Sequence, residues 1–226
     1  MRGILAAHAC KRRKSMKRTI VVLLAVMMLL SLVACGEGKP EATLESSSSA
    51  LESTEANASA VEPVGLTEAF AEYPILITSG GQSADFQMVG TVLKKQNMDF
   101  FSNGVATSAE IRDNKTLIIV VGGSSKGLGA AGIDANGELA RLEELINAAK
   151  TAGLSIIAMH TGGVVRRGEL SDKFIAPVFE NADYAIVVKD GDQDGLMASI
   201  CSKSGIPCDY IDSISDVVTV LPAAFK

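Results

Sequence analysis

From residue 74 onward the chain alternates two apolar patterns. Short runs of consecutive apolar residues, bounded by Gly, Pro, Asn or Asp, occupy 74–79, 98–101, 115–121, 154–160, 182–189 and 207–211. Runs of that length that are apolar throughout are the mark of strands buried on both faces. Between them, apolar residues recur every three or four positions, the period of a helix with one buried side. The spacing predicts a helix over 84–96, with Phe86, Val89, Val92 and Leu93 on one face. A second is predicted over 138–151, where Leu139, Leu142, Leu145, Ile146 and Ala149 align and Gly153 supplies the stop. Ser171 is expected to cap a helix running to about residue 181, with Asp172 in its first turn. Further helices are expected between Asp194 and Ser204 and from Ser213 or Ser215 onward, while 105–114 reads as loop or a short helix. Strands alternating with helices define an α/β fold. Right-handed crossovers make it a single-domain, three-layer, doubly wound, mainly parallel sheet of flavodoxin or Rossmann type. The expected strand order is 2-1-3-4-5 with the sixth strand on the edge.

The pattern upstream of residue 66 is different. Lys11, Arg12, Arg13, Lys14, Lys17 and Arg18 precede an almost unbroken apolar run over 19–34, which ends in Leu32-Val33-Ala34-Cys35. A basic start, a short apolar core and a small residue before a cut site read as a secretory signal peptide over 1–34. The run falls short of the roughly 20 residues a membrane-spanning helix needs. The Leu-Val-Ala-Cys ending resembles a bacterial lipobox, and the resemblance implies that Cys35 is lipidated and becomes the mature N-terminus. Residues 35–65 carry a four-serine run, repeated Glu and Ala, and no aromatic residue. That composition reads as a disordered acidic tether. The α/β domain is then 66–226, held outside the cell membrane by lipid.

Charge narrows the partners. Seven of the 21 Lys and Arg lie in the leader, so the mature chain sets 14 against 26 Asp and Glu, a net charge of about −12. A chain this acidic lacks the basic footprint of a nucleic-acid binder. Two histidines, one of them in the leader, leave too few ligands for a zinc site. No metal and no cofactor are implied. Cys201 and Cys208 flank Gly205-Ile206-Pro207, and the pattern leaves open whether they are bonded.

Candidate chemistry gathers where the predicted strands end. The first strand leads into Ser79-Gly80-Gly81-Gln82-Ser83. The third leads into the glycine-rich stretch from Gly122 to Asp134, which includes Gly123, Ser124, Ser125, Lys126 and Gly127. The fourth ends at His160, followed by Gly162, Gly163, Arg166 and Arg167. In open α/β sheets ligands sit outside these carboxyl ends. The expected binding set is Gly80, Gln82, Ser83, Gly123, Ser124, Ser125, Lys126, Gly127, His160, Gly162, Arg166 and Arg167. Backbone amides of the glycine loops would cradle a small polar or anionic ligand, with Lys126, Arg166 and Arg167 supplying charge.

Two motif matches compete. Gly127, Gly129 and Gly132 satisfy G-x-G-x-x-G, but after the third strand and with Gly132, Asp134 and Gly137 interrupting any immediate helix. Gly123-Ser124-Ser125-Lys126-Gly127 fits the G-x-S-x-G nucleophile elbow. A serine hydrolase would then use Ser125 as nucleophile, His160 as base and Asp172 or Asp134 as orienter. A phosphate-loop lysine after Gly127 is missing, since Leu128 stands there. A third alternative is an envelope protein-interaction module. The glycine-rich stretch, together with His160-Thr161-Gly162-Gly163-Val164-Val165-Arg166-Arg167-Gly168-Glu169-Leu170-Ser171-Asp172, resembles a family of uncharacterised bacterial secreted domains known only as a domain of unknown function. The resemblance runs from about Pro74 to Phe225 and implies the domain limits and the site, not a reaction.

Overall fold

The structure, a computed structural model, describes residues 64–226. The signal peptide, Cys35 and nearly all of the acidic tether lie outside the described residues. Six strands form one parallel sheet in the order β2-β1-β3-β4-β5-β6. They are β1 (Ile75–Gly80), β2 (Phe100–Ser102), β3 (Thr116–Val121), β4 (Ser155–His160), β5 (Tyr184–Val188) and β6 (Cys208–Ile211). Every residue of β1, β3 and β5 is buried. The reason is a core on each face. Leu117, Ile119 and Val121 of β3 face one cluster, and Ile118 and Val120 face the other. A strand serving two cores has no polar face, so its sequence reads as a continuous apolar run.

One core lies beneath α3 (Ala135–Ala152), α4 (Glu169–Phe179) and α5 (Leu196–Ser204), through Leu142, Leu145, Phe174, Val178 and Met197. The other lies beneath α1 (Asp85–Lys95) and the short α6 (Val217–Val220), through Val89, Leu93, Val217 and Leu221. Helices on both faces of a parallel sheet make the three-layer α/β fold expected from the pattern.

Two local expectations change. The glycine-rich stretch does not delay the helix. A seven-residue helix, α2 (Ser125–Ala131), starts at once, because the Ser124 side chain accepts a hydrogen bond from the Gly127 amide. It stops at Gly132, which takes φ 72°, and Asp134 then caps α3 through the Gly137 amide. The second change is Ser171. It lies inside α4, whose N-cap is Gly168, and its hydroxyl reaches across to the Gly123 amide at 2.9 Å.

The described chain starts at the amino end of the sheet. The Val64 carbonyl accepts from the amide of Cys208, the first residue of β6. Ala71 then bridges to Phe225, and Thr116, the first residue of β3, bonds the Glu72 backbone through its hydroxyl. Residues 64–74 thus form a strap along the strand starts.

Candidate functional site

The loops after β1 and β3 are fastened to each other. Gln82 pairs with Gly123 in an antiparallel bridge, and the Ser83 amide donates to the Gly122 carbonyl at 3.1 Å. Gln82 takes φ 62°, a left-handed conformation that costs a non-glycine residue about 1 kcal/mol. Glu138, fully buried on α3, holds it there. Its carboxylate accepts from the Gly81 amide at 2.8 Å and from the Gln82 side-chain amide at 3.1 Å. Arg141, one turn on, donates to Glu138 at 2.7 and 2.8 Å, to the Ser79 carbonyl at 2.6 Å and to the Ala106 carbonyl at 2.7 Å. One buried ion pair thus ties β1, its following loop and α3 together.

This fastening consumes four of the amides expected to face a ligand. Gly122 donates to the Gly80 carbonyl, Ser124 to the Gly81 carbonyl, Gly123 to the Ser171 hydroxyl and Gly127 to the Ser124 hydroxyl. The glycines serve close packing instead. A Cβ on Gly123 would sit 2.8 Å from the Ser171 backbone nitrogen, and one on Gly127 would fall on the Gln82 carbonyl oxygen. Gly80 is buried in the sheet, and Gly162 leaves room for the Arg166 side chain, which an added Cβ would strike, and for Asp85, whose carboxylate oxygen would lie 2.7 Å from it.

The cations divide into three cases. Arg167 is internally satisfied. It donates to Asp172 at 2.8 Å, to Asp194 at 2.7 and 2.9 Å and to the Gly191 carbonyl at 2.6 Å. These bonds raise its pKa and hold the Asp194 carboxyl down at about 2. Arg166 is half committed. Its Nε donates to the buried Asp85 at 2.9 Å, and Ser83 donates to the same oxygen at 3.1 Å. The Arg166 Nη groups bond none of the described residues, and its side chain is 31% exposed. Lys126 is exposed and has no ion-pair or hydrogen-bond partner among the described residues.

Lys126 and Arg166 share one cleft of about 480 Å³, whose wall also includes Gln82, Ser83, Phe86, Ser124 and Gly127. No carboxylate lines it. Gly80, Gly123, Ser125, His160, Gly162 and Arg167 lie outside its wall.

The four candidate residues of the hydrolase reading are not hydrogen-bonded to one another. Ser125 is exposed on the first turn of α2, and Asp134 is engaged as the α3 cap. Asp172 is bound to Arg167 and to the Gly168 amide. His160 is fully buried, with Nε2 3.2 Å from the Arg166 carbonyl. A carbonyl only accepts, so Nε2 carries the ring proton. Nδ1 is left bare against Gly191, where an added Cβ would approach it to 2.7 Å. Burial lowers the His160 pKa, and the Arg167 charge acts in the same direction.

The periodic pattern gave no warning of Asp85, Glu138 and Arg141. Each occupies a position in a predicted helix or its first turns where a charged residue ordinarily faces solvent. Ser83-x-Asp85 at a helix start was the one legible sign, since short polar side chains there turn back on the loop.

The fold and the cleft define a three-layer α/β domain with a cationic recess at the carboxyl ends of its first, third and fourth strands. The profile of the family described as Domain of unknown function (DUF6305) matches residues 72–225, and the chain belongs to that family. No curated protein sequence matches it. Among solved structures, it is similar to a psychrotrophic esterase, EstA, from Pseudoalteromonas sp., at 12% identity over 61% of this chain and 76% of that one, with a TM-score of 0.28. A GDSL-like lipase from Bacteroides thetaiotaomicron shows 8% identity over 60% and 66%, with a TM-score of 0.32. AlinE4, an SGNH-hydrolase family esterase, shows 9% over 72% and 85%, with a TM-score of 0.30. At these scores the likeness carries no information about chemistry.

Proposed function

We propose that this protein is a lipid-anchored extracytoplasmic lipoprotein whose α/β domain binds a small anionic ligand in the Lys126–Arg166 cleft. The observation that carries the reading is the wall itself: two cations, four side-chain amides or hydroxyls in Gln82, Gln87, Ser83 and Ser124, and no carboxylate, on an acidic chain. Lys126 supplies a mobile positive charge. Arg166, with its Nε on Asp85, offers its Nη pair in a fixed orientation, the geometry suited to carboxylate or phosphate oxygens. Asp85 cancels about one of the two charges, which favours a ligand of low charge. The Gly122, Gly123, Ser124 and Gly127 amides, bonded within the domain, take no part.

Calorimetric titration with phosphate, acetate and citrate tests the reading. Binding of at least one anion is expected, weakened about tenfold or more by Lys126→Ala. Anion binding that is unchanged in both Lys126→Ala and Arg166→Gln removes the cleft from consideration. The anchor is tested separately by labelled palmitate in a bacterial host. Incorporation that persists in Cys35→Ser refutes lipidation at that residue.

A further inference from the structure

The Lys126–Arg166 cleft has two unlike ends, and the strand order tells them apart. Arg166 follows β4, and its Nε is held on Asp85, the first residue of α1. Phe86 is the next residue of α1, and its ring lies against Gly104, where an added Cβ would come within 2.8 Å of it. Gly104 follows β2. β2 and β4 flank the β1–β3 pair on opposite sides, so the cleft runs across the strand ends from the guanidinium to the phenyl ring. Gln82 spans the middle. Its side-chain amide donates to the Gly104 carbonyl at 2.9 Å, and its own carbonyl lies against Gly127 of α2. Ala131 stands one helical turn beyond Gly127, and Ala130 one turn beyond Lys126. Both line the cleft with Phe86, and none of the three carries a polar side-chain atom. Phe86 packs on the core beneath it and stays partly exposed. A ring held from below and open above is a surface for hydrocarbon.

We infer that the cleft takes a small amphipathic monocarboxylate, its carboxylate at Lys126 and the Arg166 Nη pair and its hydrocarbon body along Ala130, Ala131 and Phe86. The inference rests on the anion site proposed above and adds the class of anion. A recess of about 480 Å³ falls within the roughly 300–1,000 Å³ of sites that hold organic ligands, far more than the few heavy atoms of phosphate or acetate fill. One carboxylate matches the charge left once Asp85 offsets a cation, and its two oxygens suit the planar Nη pair. A polyanion such as citrate would carry its further carboxylates toward the Phe86 end, where they lose water and gain no cation.

Calorimetric titration of the full chain with acetate, butyrate, hexanoate and phosphate tests it. A fully buried methylene is worth about fourfold in affinity, and the cleft is open on one side, so hexanoate is expected to bind about tenfold tighter than acetate. Phe86→Ala is expected to remove most of that gain while acetate stays within about twofold, which also shows that the variant is folded. Lys126→Ala is expected to weaken acetate and hexanoate by the same factor, because both use the same anchor. Hexanoate binding no tighter than acetate, with acetate still weakened by Lys126→Ala, overturns this inference and leaves the anion site standing. A chain-length gain that survives unchanged in Phe86→Ala, or hexanoate binding indifferent to Lys126→Ala, overturns it as well. Failure of every anion to bind removes the site and the inference together.

Discussion

The Glu138–Arg141 pair is the most exposed point of the reasoning, because so much is assigned to it. Replacing Glu138 by alanine removes the acceptor for the buried Gly81 amide, both contacts to the Gln82 side chain and the two bonds from Arg141. Breaking a buried ion pair from one side costs about 3–5 kcal/mol. Arg141 keeps the Ser79 and Ala106 carbonyls, and its side chain is 11% exposed, so the lower end applies, near 3 kcal/mol. For a domain of this size that corresponds to a fall in Tm of about 6–12 °C. Glu138→Gln keeps the shape and one acceptor oxygen and is expected to cost about half as much. Urea unfolding followed by circular dichroism gives the midpoint, with the slope unchanged if only stability is altered. Because Gln82 stands on the cleft wall, phosphate affinity should fall in parallel. A loss below about 1 kcal/mol for Glu138→Ala, or equal losses for Ala and Gln, would refute the assignment.

Two glycines of the same motif should respond in opposite directions. Gly123→Ala meets the Ser171 backbone at 2.8 Å and should lose about 1–3 kcal/mol, whereas Gly129→Ala, with nothing within 4 Å inside α2, should gain up to about 1 kcal/mol. Thermal melts of the two variants decide it, and shifts of equal sign would contradict the packing described. His160 predicts a pH dependence. Its folded pKa is depressed, so below about pH 6.5 the unfolded chain binds the proton more readily than the folded one. Stability is therefore full above that value and falls as the pH drops toward the folded pKa. His160→Gln should flatten the change in Tm between about pH 7.5 and 5.5, and an unaltered slope would show that another group controls it.

The layering of the fold was open to reading because of its two cores. The inner strands β1, β3, β4 and β5 must be apolar on both sides, and their runs stand out against amphipathic helices. The loops were legible in position and not in orientation. The bonds that turn the Gly122, Gly123 and Ser124 amides inward end on Gly80, Ser171 and Gly81, and Ser171 lies 48 positions from Gly123. Arg166 and Arg167 look alike in sequence. What separates them is Asp85, 81 positions from Arg166, and Asp194, 27 positions from Arg167. Pairings between segments so distant carry no local signature. Lys126 stands apart because the two nearest turns of α2 and the loop after β1 bring it no acid.

The strap over residues 64–74 runs along the amino ends of the strands, and the cleft opens at their carboxyl ends. A six-residue strand spans about 20 Å. A chain tethered through its N-terminal segment, as proposed, would be held at the strand starts, the end of the sheet opposite the cleft.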